Sequence, residues 1–284
     1  MLMMRSPSSK TSPLMPEVVS TLEVWGAEVD VLYPDEMLTC LGNLGPEHDL
    51  YVLKSGSEIA LSVAGALDAA GATILNPHRV AAACRDKVIA TRVLAAAGVP
   101  VPETYVTGHA GELAELIDEG PLVVKPYRGT NGQGVHVVWD ADQLDDLASS
   151  GGLLFAQRYH KPEGRDRKIY VIGGQVFGVK RVWPARSYEE KLGEPFAITD
   201  EVREIALRCG EAFGIEMYGL DIILSDGCPY VVDISSFPGF KGVPQAALRL
   251  ADYIYAVGQR VLDGEPAVET LRADGRTLVE EATR

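Results

Sequence analysis

Two carboxylates in an apolar setting are the most chemically telling feature of the chain. Asp221 and Asp233 lie in MYGLDIILSDGCPYVVDISSFPGFKGVP, residues 217–244, each among Leu, Ile or Val, with Ser235 two residues beyond the second. The turn SDGCP, centred on Asp226-Gly227, predicts a hairpin that sets the two apolar runs side by side. Strand alternation then places Asp233 and Ser235 on one face. Carboxylates so placed are costly unless something cationic meets them. Oxygen ligands of this kind suit Mg²⁺ bridging nucleotide phosphates. An ordinary structural salt bridge would answer the same need.

A second constellation is LVVKPYRGTNGQGVHVV, residues 122–138. An apolar run carrying Lys125 reads as a strand, and Pro126 places its end or a sheet edge there. VHVVW, residues 135–139, reads as the returning strand, so Tyr127 to Gly134 form the connecting loop. Glycines 129, 132 and 134 let backbone amides converge on a phosphate. The spacing G-x-x-G-x-G is neither a Walker loop nor the dinucleotide fingerprint. Lys125 needs a partner on such a strand; a phosphate would serve, and none is expected within the protein. Downstream, residues 158–191 hold Arg158, His160, Lys161, Arg165, Arg167, Lys168, Lys180, Arg181, Arg186 and Lys191. Glu163, Asp166, Glu189 and Glu190 oppose them. This local basic excess points to an anionic ligand or to a solvated charged hairpin.

These residues need a scaffold, and the rest of the chain supplies one. EVDVLYP (28–34), LYVLKS (50–55) and ATILN (72–76) read as buried strands. Between the last two, Ile59, Val63, Ala66, Leu67 and Ala70 mark one helical face. The rhythm predicts a small open α/β lobe with a parallel sheet. Met1 to Met4 would be its first strand or a disordered start, and RSPSSK would follow as an anion-facing loop. A helix from about Ala81 to Ala97, closed by Gly98, carries Arg85 and Lys87.

Length and composition bound the whole. The chain has 284 residues, enough for two or three lobes, and is 46% hydrophobic and 23% charged, as globular chains are. Forty acidic against 26 basic residues leave a charge of −14, which argues against nucleic acid as a general partner. Nothing resembles a signal peptide or a membrane span. Cys40, Cys84, Cys209 and Cys228 are scattered and read as reduced thiols in a cytoplasm.

The order of these motifs resembles the ATP-grasp superfamily. It runs from the RDK helix through VVKP and its glycine-rich hairpin, the QRY bend and GRDRKIY to LD and VVDISSFPGF, over roughly residues 76–250. Two branches are similar: ligases that add glutamate to a ribosomal protein, which share a GRD-x-R segment, and inositol-polyphosphate kinases, whose D-I-N-x-F-P-G-Y is close to DISSFPGF. The resemblance implies an α/β ATP-grasp fold with α+β lobes and an amino-terminal open α/β domain at 1–78. A small lobe with the glycine-rich lid would span 79–156, and a carboxy-terminal lobe with the metal site 157–284.

The resemblance also implies roles. Lys87 and Lys125 would meet the ATP phosphates beneath the lid of residues 127–134, with Gly129, Thr130, Gly132 and Gly134. Gln157, Arg158, Tyr159 and His160 would form the adenine hinge. Asp166 matches the aspartate of the ligases' GRD-x-R segment and falls with the nucleotide-binding set. Lys168 and Arg181 would be the cations beside the transferring phosphoryl group. Asp221, Asp233 and Ser235 would hold Mg²⁺, although many members carry glutamate and asparagine at the last two positions. The implied activity is an ATP-dependent carboxylate–amine or carboxylate–thiol ligase working through an acylphosphate, on a small anionic substrate. A kinase of inositol-phosphate type and a nucleotide-binding module without turnover are the alternatives. Homodimers are among the implied assemblies.

Overall fold

The structure is a computed structural model that describes residues 1–5, 12–129, 134–144, 152–182, 187, 190 and 192–268. Its first strand, β1 (Leu2–Arg5), is fully buried, so the alternative of a disordered start falls away. Strands β2 (Asp30–Leu32), β3 (Tyr51–Lys54) and β4 (Ile74–Leu75) join it in a parallel sheet of order β2-β1-β3-β4, as the alternation of strands and helices predicts, but β2, read as buried, is an edge strand whose Asp30 and Val31 are exposed. Helix α1 (Leu14–Val24) follows β1, and α2 (Glu58–Ala69) follows β3. The Ser57 hydroxyl caps α2 by accepting from the Ala60 amide. The buried side of α2 is Ala60, Leu61, Val63, Ala64 and Leu67. Val63 and Leu67 lie on it as expected, but Ile59 is 41% exposed and Ala70 stands in solvent. Small alanines, which carry little periodic signal, make the close approach instead.

The helix expected over 81–97 is two helices, α3 (His78–Arg85) and α4 (Lys87–Ala96). Asp86 divides them. Its backbone is extended, and its carboxylate accepts from the amides of Val88 and Ile89 at 3.0 and 3.2 Å, capping α4. Lys87 thereby becomes the first residue of a helix.

A second, antiparallel sheet has the order β5-β8-β6-β7, from β5 (Thr104–Thr107), β6 (Leu122–Pro126), β7 (His136–Val138) and β8 (Leu154–Arg158). The short helix α5 (Ala114–Asp118) lies between β5 and β6. Pro126 ends a strand that is paired on both sides, so it marks a terminus and not an edge. The third sheet has the order β11-β10-β9-β12-β13. Its strands are β9 (Asp166–Ile172), β10 (Gln175–Arg181), β11 (Glu194–Phe196), β12 (Met217–Ser225) and β13 (Cys228–Ser235). Asp226 and Gly227, at φ +50° and +77°, make the expected tight turn between β12 and β13.

Both faces of the third sheet are covered. Ile169, Val171, Leu220, Ile222 and Ile234 pack with α3, α4 and α6 (Asp200–Phe213). Tyr170, Ile172, Val179 and Met217 pack with α1 and α7 (Ala246–Leu262). Between these layers, the start of β9, the end of β10, the middle of β12 and the second half of β13 keep partly exposed polar side chains. All four cysteines are free. No helix among the described residues is long and apolar enough to cross a membrane.

The amino-terminal sheet is tied to the third sheet by a buried amide. Asn76, 1% exposed, donates from Nδ2 to the Met217 carbonyl at 2.6 Å and to the Ser236 carbonyl. Asn76→Ala strands both acceptors, so we expect a loss of about 1–3 kcal/mol in unfolding free energy. Urea denaturation checks this, and an unchanged midpoint would contradict it.

Candidate active site

The register of the third sheet lines up the central residues. Lys168 on β9 pairs with Asp221 on β12, and Asp221 pairs with Asp233 on β13. Residues directly opposite across strands project to the same face. Two residues along, Tyr170, Gly219 and Ser235 form the next row on that face. On the other side of Lys168, Asp166 pairs with Arg181 of β10. Asp233 and Ser235 thus share a face, as alternation predicts. A bulge at Asp221/Ile222 leaves Val232 out of the pairing.

Charges of both signs meet in the first of these rows, with the two carboxylates side by side. The Lys168 ammonium lies 2.7 Å from both oxygens of Asp221 and is only 16% exposed. Burial works to lower its pKa, but the Asp221 charge and hydrogen bond outweigh that and the net shift is upward. Asp233 has its pKa raised, first by burial; Lys87 opposes and the Asp221 charge adds. Asp166 is raised by burial and then by Asp221. Carboxylates this close resist joint ionisation, and lysines stand where they relieve it.

Lys87 and Lys125 come to Asp233 from other elements. Lys87 Nζ donates to the Gly129 carbonyl at 3.0 Å and sits 3.9 Å from an Asp233 oxygen, while its backbone amide donates to Tyr127. Lys125 Nζ donates to Gln157 Oε1 at 2.8 Å and to the Val232 carbonyl at 3.4 Å. The expectation that Lys125 has no partner within the protein is therefore corrected. Gln157, buried on the neighbouring strand, supplies one, and its amide donates to Thr104 at 3.1 Å. Burial lowers the Lys125 pKa to about 8, although Asp233 pulls the other way.

The remaining candidates divide. Gly129 and Gly134 flank the loop, whereas Thr130 and Gly132 lie outside the described residues. Gly134, at φ +70°, is required: a Cβ there would meet Pro126 at 2.8 Å. The Arg158 guanidinium is spent on the small sheet's surroundings, donating to the Leu116 and Gly120 carbonyls and to Glu119. Its backbone amide bonds Glu103 at 2.9 Å. Tyr159 packs on Trp139, and His160 stacks on Tyr230 with centroids 4.0 Å apart. These hinge residues line a cavity of about 550 Å³ that none of Lys87, Lys125, Lys168, Asp221 or Asp233 borders. Arg181 donates to the Tyr170 hydroxyl, and its Nε is buried without a hydrogen bond among the described residues.

Sequence reasoning missed a group at the amino-terminal lobe, where it named only RSPSSK as an anion-facing loop. Arg5 and Lys54 end β1 and β3, and Lys54 Nζ donates to the Phe237 carbonyl at 2.9 Å. The available signal was a cation at the carboxyl end of each apolar strand. RSPSSK beyond Arg5 lies outside the described residues. Among the described residues, no three His, Cys, Asp or Glu side chains gather to hold a metal ion. Two carboxylates still fit Mg²⁺, which completes its shell with water and phosphate oxygens.

A profile of the RimK-like ATP-grasp domain matches residues 84–254, more than half of the chain and all of the rows just described. The chain belongs to the RimK-like ATP-grasp family. It is 29% identical over 216 residues to a ribosomal protein bS6–L-glutamate ligase of Escherichia fergusonii, covering 70% of this chain and 72% of that one. Its fold is shared with a RimK domain ATP-grasp protein of Sphaerobacter thermophilus at TM-score 0.72 and 18% identity, over 89% and 99% of the two chains. The ATP-grasp ligase PsnB, complexed with minimal precursor, Mg and ADP, matches at TM-score 0.67 and 21% identity, over 90% and 96%. This RimK-like protein is accordingly a ligase of the kind that forms amide-type bonds with ATP, and the comparisons support no kinase.

Lys125 gives the site a pH signature. In the free protein it is half neutral near pH 8, and phosphate oxygens favour the charged form. Nucleotide binding at pH 8 should therefore take up about half a proton, and affinity should fall as pH rises further. Calorimetry in buffers of different ionisation enthalpy reads the uptake, which Lys125→Arg should abolish. Equal uptake in that variant would remove Lys125 from the phosphate site.

Proposed function

We propose that the protein joins a carboxylate to an amine by way of an acylphosphate, releasing ADP and phosphate. The observation that carries this is the row Lys168–Asp221–Asp233, approached by Lys87 and Lys125 from two other elements. Two carboxylates with cations gathered round them suit phosphoryl transfer, where catalysis is mostly positioning and charge stabilisation. Asp221 and Asp233 would hold Mg²⁺, with Ser235 beside them, and the ion would neutralise phosphate oxygens. Lys87 and Lys125 bind the nucleotide phosphates beneath the loop of residues 127–134. Lys168 has three N–H donors; Asp221 engages two, which leaves one for a transferring phosphoryl oxygen. Arg181, held by Tyr170, supplies a second cation to the reacting group. Gln157 fixes Lys125, and the backbone from Gln157 to His160 meets the base. Of the hinge side chains, Arg158 is structural.

The glutamate-ligase names of the relatives support an amino acid as one reactant. The reading keeps lobe boundaries near residues 79 and 157, although α3 and α4, at the start of the middle lobe, pack on the third sheet. Four free cysteines support a cytoplasmic setting.

Hydroxylamine trapping tests the chemistry. With ATP, hydroxylamine and a carboxylic acid selected by ADP release, we expect a hydroxamate to form, and to fall at least about 100-fold in Lys168→Ala. A stable phosphorylated alcohol, or ADP release without hydroxamate, would overturn the acylphosphate.

A further inference from the structure

Three polar side chains form a line of hydrogen bonds on one face of the second sheet. Thr104 on β5 lies directly opposite Gln157 on β8. Val123 of β6 faces Gln157 from the other side, so Lys125, two residues on, projects to that face as a diagonal neighbour. Lys125 Nζ donates to Gln157 Oε1 at 2.8 Å, and Gln157 Nε2 donates to Thr104 Oγ1 at 3.1 Å. The Thr104 hydroxyl donates in turn to the Pro102 carbonyl at 2.7 Å. Both ends of the line return to β13. Lys125 donates to the Val232 carbonyl at 3.4 Å, and the Pro100 carbonyl accepts from the Val231 amide at 2.8 Å.

The direction of the line follows from what each group can do. An ammonium only donates, and a carbonyl only accepts. Thr104 has one hydroxyl hydrogen, which Pro102 takes, so its Oγ1 meets Gln157 as an acceptor. Gln157, 2% exposed, therefore stands between an acceptor and a donor, and only one orientation of its amide serves both. Turned over, it would set its N–H groups against the Lys125 ammonium. Removing the hydroxyl takes away one of the two partners that decide between these orientations.

We propose that Thr104 is a positioning residue: its hydroxyl orients the Gln157 amide, and through that amide it holds the Lys125 ammonium in the cleft. The consequence for nucleotide affinity rests on the phosphate role given to Lys125 above; the positioning itself does not.

The test compares Thr104→Val, which keeps the β-branched shape and loses the hydroxyl, with Thr104→Ser, which keeps the hydroxyl. In slightly acidic solution Lys125 is charged, and an ammonium held by acceptors exchanges its protons slowly enough to give an NMR signal. Loss of one signal in Lys125→Gln assigns it. We expect that signal in the wild type and in Thr104→Ser, and not in Thr104→Val. MgADP affinity, by calorimetry, should fall about tenfold in Thr104→Val and stay within about threefold of the wild type in Thr104→Ser. In a Lys125→Gln background, Thr104→Val should lower affinity no further, because the two act as one unit. No signal in the wild type, a signal that persists in Thr104→Val, or one lost equally in Thr104→Ser overturns the positioning. So does an affinity that Lys125→Gln lowers and Thr104→Val does not, or an equal loss from Thr104→Val in both backgrounds, which marks a threonine that serves only the fold. If Lys125→Gln binds MgADP as tightly as the wild type and the signals are as expected, the positioning stands and the phosphate role falls.

Discussion

Asp221 and Asp233 face each other across β12 and β13, and two carboxylates at that separation in a half-buried cleft repel. Much of the surrounding architecture answers that repulsion. Lys168 reaches Asp221 from the adjoining strand, and Lys87 reaches Asp233 from the first turn of α4. Lys125 lies one carbonyl away, on Val232, the residue that the bulge releases from pairing. Each lysine depends on a local device. Asp86 breaks a helix so that Lys87 starts one, and Gln157 holds Lys125 by its side-chain oxygen. Under the proposed reaction, a cluster balanced this closely would meet the charge redistribution of phosphoryl transfer with groups already in place.

The amino-terminal lobe is part of the same device. Asn76 and Lys54 both bond carbonyls of the segment that follows Asp233 and Ser235, so the ends of β3 and β4 set the position of the loop beyond the carboxylates. Gly219 lets that loop fold back, since a Cβ there would meet Pro238 at 2.8 Å. The hairpin of β12 and β13 and the loop beyond it are therefore met by cations from a sheet on either flank.

What the sequence disclosed follows from the range of each interaction. Local patterns were legible: the Asp226-Gly227 turn, the shared face of Asp233 and Ser235, and the glycine-flanked loop after Lys125 all come from neighbours in the chain. Pairings set by register over long separations were not. Lys168 meets Asp221 across 53 residues, and Lys125 meets Gln157 across 32. Arg158 has the residue type of a site cation, yet its donors are consumed by Leu116, Gly120 and Glu119. The helix break had a readable cause, an aspartate able to cap, but the apolar periodicity continued through it. Arg5 and Lys54 look like separate strand-end charges until the register of β1 and β3 sets them side by side.

Asp233→Asn measures the central balance most directly, because it removes a charge from the repelling pair and changes almost no volume. The folded protein raises the Asp233 pKa, so its ionised form costs stability at every pH above the unfolded carboxylate range. The account predicts that at pH 7 this variant unfolds at the same or a higher denaturant concentration than the wild type, while kcat for ADP release falls at least about 100-fold. A variant that is markedly less stable and turns over ATP at the wild-type rate would show that Asp233 serves the fold and not the reaction.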